Sequence, residues 1–145
     1  MFPWVQLKYK TYTVQHSDDD YRRLNGRCLA AISEKVPSSR KKILAIDPDL
    51  SKISNLFSHP VEDVKGNCAL VISNCIQLVD CDKHSPVAVI PQLISTVDLA
   101  KNEKTRKNAA IALSKAAGLT DECREVFRKH HGLEILRSRI SQIKL

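Results

Sequence analysis

The chain has 145 residues, 43% of them apolar, and 23 basic against 16 acidic side chains give a net charge of +7. That length supports one domain with a real core, while four glycines and 5% aromatic content argue against an all-β barrel or sandwich. No run approaches the ~20 apolar residues of a membrane span, and lysines interrupt the apolar start "MFPWVQLKYK", so we expect no secretory signal and a soluble, cytoplasmic protein whose five cysteines are thiols.

Residues 1–19 match no other part of the chain. "WVQLKYKTYTV" alternates like a strand but has no partner in a helical fold, so a loosely ordered extension is expected there. "SDDD" (17–20) then offers an N-cap and an acidic first turn for a long helix over 20–36. "SSRKKILAI" (38–46) reads as a helix, followed by a short one over 50–57 and a long one over 61–79. "DKHSPVAVIP" (82–91) is broken by Pro86 and Pro91, so any helix there is short or absent. A short helix over 90–97 and a long one over 103–118 follow. In "DECREVFRKHHG" (121–132), Asp121 and Glu122 favour a helix start and Gly132 a C-terminal stop. The last helix is expected over 133–143.

The chain repeats itself. "GRCLAAISEKV" (26–36), "GNCALVISNCI" (66–76) and "KNAAIALSKAA" (107–117) align at offsets of 40 and 41. Cys28, Cys68 and Ala109 share a small-residue column, Ile32, Ile72 and Leu113 an aliphatic one, and Ser33, Ser73 and Ser114 a third. A second register sets Leu50, Ile53 and Phe57 against Ile90, Leu93 and Val97, then Leu133, Leu136 and Ile140, each spaced along one helix face. Two columns with one period predict an all-α solenoid of three-helix units, the pattern of armadillo and HEAT repeats.

"NAAIALSKAAG" resembles the third-helix signature of the armadillo-repeat family, and "HHGLEILRSRI" resembles its passage in which Gly precedes a Leu-rich second helix. The resemblance covers residues 20–145 and implies an armadillo-like right-handed superhelix of about three repeats: a lone third helix, two full units, and two helices of another. "KNAAIALSKAAGLTDECREVFRKHHGLEILRSR" further resembles the C-terminal armadillo module of TPR–armadillo proteins linked to cytoplasmic preassembly of axonemal dynein arms. The TPR half, which would dock a chaperone tail, is absent here. The chain starts partway through a unit and is expected to be a fragment or a shortened product. Its open N-terminal face around Leu29, Ala30 and Ile32 should be partly exposed and favour self-association or docking of a missing segment.

The repeat disposes of the cysteines. Cys28 and Cys68 occupy a column that tolerates Ala109, and Cys75 one that tolerates Ala116. An alanine replaces a packing thiol but no ligand, so core thiols are expected, Cys123 included. Zinc would need Cys75, Cys81 and His84, with His59 or Cys68 recruited, at spacings unlike structural sites. His130 and His131 fit a helix C-terminus. Gly66 within a helix costs about 1 kcal/mol against Ala, and Gly26 in the same column points to a packing reason. No catalytic constellation, phosphate loop or cofactor motif is present.

Two surfaces remain. Armadillo proteins hold extended peptides with an asparagine ladder on their third helices, and a Trp one turn earlier. By column the resemblance carries the ladder to Glu34, Asn74 and Lys115 and the Trp to Ala30, Leu70 and Ile111, so only Asn74 matches. Arg27, Asn67 and Asn108 make a second polar row, and the six residues together form a candidate concave strip. Residues 101–145 hold eleven Lys/Arg and five acidic side chains, a net of +6. Arg106, Lys107, Arg128 and Lys129 are the candidate basic rim, suited to an acidic protein tail or to RNA phosphates. The expectation is a non-enzymatic protein-interaction scaffold or co-chaperone module with chaperone or dynein-chain partners. The alternative is a basic-surface nucleic-acid-binding repeat domain, which the lack of interleaved aromatics disfavours.

Overall fold

Eight α-helices form along residues 18–141, the part of the chain that the computed structural model describes, with side chains from residue 25 on. They are α1 (Asp18–Lys35), α2 (Pro37–Ile46), α3 (Ser51–Ser54), α4 (Glu62–Cys75), α5 (Val89–Leu99), α6 (Glu103–Ala117), α7 (Asp121–Lys129) and α8 (Gly132–Ile140). Short 3-10 turns extend α3 and α4 and precede α5 at Pro86–Ala88, where the proline-broken stretch was expected to lack a full helix. No strand occurs among the described residues, and none of their helices is long and apolar enough to cross a membrane. The expected extension over 1–19 falls, up to residue 17, outside the described residues, and so does the end of the helix expected over 133–143.

Local chemistry sets the boundaries. Asn102 Oδ1 accepts the Thr105 amide at 2.9 Å to cap α6, and Thr120 Oγ1 accepts the Cys123 amide at 3.0 Å to cap α7. Pro37 opens α2, where no amide is needed. Asp47 is buried and its carboxylate accepts the amides of Lys52 (3.1 Å) and Ile53 (2.8 Å), fixing the start of α3.

Carbonyls left over at helix ends are taken by cations from further along the chain. Arg40 Nε donates to Ser33 O at 2.7 Å, Lys52 Nζ to Ile46 O at 3.2 Å, and Arg124 to Gly118 O at 2.9 Å. Arg106 donates to Val97 O at 3.0 Å and to Ala100 O. These side chains also meet the negative end of each helix dipole.

The long helices lie side by side, α4 between α1 and α6. Their order and direction follow from the cross-helix contacts. Asn74 Nδ2 donates to Ser33 Oγ (3.1 Å), Asn108 Nδ2 to Gly66 O (3.3 Å), and Lys115 Nζ to Ser73 O (3.1 Å). The separations are 41 or 42 residues near the start and near the end of the helices alike. A constant offset means parallel helices in register. The shorter helices make a second layer in which Arg139 of α8 meets Asp98 of α5 at 3.1 Å, again 41 residues apart. The core lies between the layers, with Leu50, Ile72, Ile90, Leu93, Val97 and Leu113 fully buried.

Glycines mark close approaches. A Cβ on Gly66 would stand 2.9 Å from Thr105 Oγ1 of α6, which explains a glycine mid-helix. Gly26 is looser, 3.7 Å from Asn67 Cβ. Gly132 is a correction. It opens α8 rather than stopping α7, and its missing Cβ leaves room for the Phe127 ring, 2.3 Å from where that atom would be. The reversal between the two helices is made by His131, whose φ of 59° is left-handed. Leu50 does the same before α3, with φ 62°.

Three expected core positions, Cys28, Leu133 and Ile140, are exposed. Cys28 is on the surface while Cys68 and Cys75 are buried, and Ile32 on the N-terminal face is 39% exposed, as expected there, while Ile72 and Leu113 are fully buried. No described helix pair precedes α1 to cover them. At the other end Leu133 (47%) and Ile140 (45%) are exposed, since no described helix follows α8. On the N-terminal face Ala30 is buried, correcting the expected exposure there, and Leu29 is half-buried.

Candidate functional site

The candidate strip runs along the outer edges of α1, α4 and α6. The repeat register brings its residues together, because those on α4 and α6 contact the preceding long helix one residue before their column mate there. Asn74 reaches Ser33, the neighbour of Glu34; Lys115 reaches Ser73, the neighbour of Asn74; Asn108 reaches Gly66, the neighbour of Asn67. Asn67 packs its Cβ by Gly26, next to Arg27. Arg27 and Glu34 are exposed, and Asn67, Asn74, Asn108 and Lys115 are half-buried.

Three of the six therefore pin one repeat to the next. Sequence reasoning assigned them only to an outside partner and missed this role. The signal was available: a polar side chain recurring at one helix edge in each unit has a neighbouring helix within reach. An amide has two N–H donors and a carbonyl, so one interhelical bond leaves hydrogen-bonding capacity facing solvent.

The basic rim is dispersed in its chemistry. Arg106 folds back on the C-terminal carbonyls of α5. Lys107 lines a groove beside α6, Arg128 pairs with Glu125 on the exposed side of α7, and Lys129 is exposed. Of the four, Arg106 closes a helix end.

The buried thiols are inert. Cys68 Sγ donates to Ile53 O at 3.1 Å, and burial, with Asp47 nearby, pushes its pKa well up. Burial raises Cys75 to about 11 against the smaller pull of Arg40. Thiolate chemistry needs the opposite shift. Cys123 is also buried, whereas Cys81 and His84 are exposed. His59 is buried and its Nδ1 accepts the Val61 amide at 3.1 Å. Among the described residues no three His, Cys, Asp or Glu side chains gather as a metal site.

Two clefts are open to solvent. One, of about 340 Å³, lies between Phe57, Lys65 and the α5 residues Gln92 and Leu99. The other, of about 640 Å³, runs along α6 past Lys107, Ala110, Ile111, Ser114 and Gly118 to Ile140 of α8.

No protein-family model matches the chain, and no solved structure does. The chain is 29% identical over 119 residues to human tetratricopeptide repeat protein 12. The match takes in 81% of this chain but 17% of that protein's length. With the all-helical, in-register architecture, that similarity makes the chain a distant relative of a helical-repeat protein.

Proposed function

We propose that this chain is an armadillo-like module of about three repeats over residues 20–145, acting as a non-enzymatic protein-interaction scaffold or co-chaperone. The observation that carries the reading is the constant 41–42-residue offset of the Asn74, Asn108 and Lys115 contacts, which gives a stack of equivalent helices with one continuous edge. Such stacks present extended surfaces for binding. The similarity to tetratricopeptide repeat protein 12 supports a protein-interaction role. The sequence resemblance to TPR–armadillo proteins supplies the setting, cytoplasmic assembly of axonemal dynein arms, with chaperones or dynein chains as partners. Binding falls on the strip of Arg27, Glu34, Asn67, Asn74, Asn108 and Lys115, with Arg27 and Glu34 as its most accessible charges.

Affinity capture from ciliated-cell extract tests this, using the chain and an Arg27→Ala/Asn67→Ala variant with an unchanged melting curve. Chaperones or dynein chains retained by the parent and lost by the variant are expected. Retention by both moves binding off the strip. Recovery of only ribosomes and RNA, released by salt, sinks the reading in favour of nucleic-acid binding.

A further inference from the structure

The two ends of the stack are complementary. In the interior, a long helix seats in the angle between the preceding long helix and the preceding short one. α4 sits so on α1 and the α3 segment, and α6 on α4 and α5. The groove beside α6 is the next such seat, and no described helix lies in it. Its residues Lys107, Ala110, Ile111, Ser114 and Gly118 stand 41 positions after Gly66, Ala69, Leu70 and Ser73 of α4 and Gln77 of the 3-10 turn that extends it. On α4, Gly66 and Ser73 of that set take the contacts of α6. Ile140, on the far wall, matches Phe57 and Val97, which are buried under α4 and α6. Ile111 and Ile140 are 41% and 45% exposed.

α1 has the opposite deficiency. It is a long helix with no described short helices before it. Cys28 and Ile32, whose equivalents Cys68, Ala109, Ile72 and Leu113 are fully buried, are exposed on it. α7 and α8 are two short helices with no described long helix after them. Each end carries what the other lacks.

We propose that copies of this chain stack head to tail, α1 of one copy occupying the α6–α8 groove of the next. The seat reproduces the register of the two internal interfaces. Ile32 meets Ile140 and the α8 wall. Glu34 takes the place that Asn74 has over Ser33 and Lys115 over Ser73, facing the Ser114 hydroxyl. The same register sets Arg27, in the row of Asn108, beside Lys107, so the apolar contact and the repeat register, not charge, select unlike ends. The interface is heterologous and leaves a free groove and a free α1 on each assembly, so growth is open-ended. The net charge of +7 on each copy opposes stacking, and added salt screens that repulsion. The inference rests on the helix register alone and is independent of any outside partner.

Sedimentation of the full chain across a concentration series tests it, with Ile32→Asp to block α1 and Ile111→Asp to block the groove. Both residues are partly exposed, and a melting curve for each variant verifies folding. The parent is expected to show a ladder of species that lengthens with concentration. Each variant alone is monomeric. Their equimolar mixture forms a dimer and nothing larger, through the one intact α1 and the one intact groove. A parent that stays monomeric at every concentration overturns the proposal. So does a dimer abolished by one substitution and indifferent to the other, or a mixture that stays monomeric.

Discussion

The middle of the stack and its ends are made of the same repeat, yet the same column has opposite fates in them. Ile72 on α4 is fully buried and Ile32 on α1 is 39% exposed. Ser33 and Ser73 are buried beneath the next long helix, while Ser114, which has no described helix over it, is exposed. Helix-face periodicity says which way a side chain points. Position in the stack says what, if anything, it meets. Burial in this molecule is a property of neighbours.

The sharpest way to break that comparison is to make one substitution in both places. In dilute solution, Ile72→Ala should lower unfolding free energy by about 3 kcal/mol, as for other buried aliphatic truncations. Ile32→Ala should cost about 0.5 kcal/mol or less. Equal losses in urea denaturation would mean that α1 is covered in solution. Next in size, Gly132→Ala forces a methyl into the Phe127 ring and should cost about 2 kcal/mol. Gly118→Ala, with nothing within 4 Å, serves as the control and should be near neutral. A tolerant Gly132 would show that the α7–α8 corner relaxes freely.

Asn74→Ala removes the bond to Ser33 between α4 and α1 and should cost about 1 kcal/mol. Glu34→Ala in the same column should change stability by no more than about 0.5 kcal/mol. A like cost at both would assign Glu34 an interaction of its own. The smallest effect is at the exposed thiol: Cys28→Ser should leave the midpoint unchanged. In thiol labelling, Cys28 and Cys81 should react at once, and Cys68, Cys75 and Cys123 only on unfolding. The folded chain holds the Cys75 proton to about 11 whereas an ordinary thiol releases it near 9.0. The unfolded state therefore binds fewer protons in that window, and stability should fall as pH rises through it, less steeply in Cys75→Ala.

The long helices and their pairing order were legible because Cys68/Ala109 and Ile72/Leu113 keep one spacing across units. The corner before α8 was not. Gly132 looked like the stop residue, and the choice between it and His131 for the left-handed position depends on where the Phe127 ring lies, a tertiary fact. Cys28 was misplaced for the same kind of reason, since a column cannot tell which of its members is at an end. At the candidate site, the strip residues were found by column, but their bonds to Ser33, Gly66 and Ser73 became visible only when the helices were placed side by side. The basic rim read as a patch because sequence proximity hides that Arg106 turns back onto α5.

The constant offset of 41 or 42 residues has a mechanical consequence. Every long-helix tie runs to an adjacent layer, so a pull on the two termini loads the outermost interfaces in series. The chain should come apart one layer at a time from its edges, with the α4 layer last. Each released unit of about 40 residues would lengthen the tether by roughly 140 Å at ~3.5 Å per residue, giving a stepwise, reversible extension in place of a single rupture.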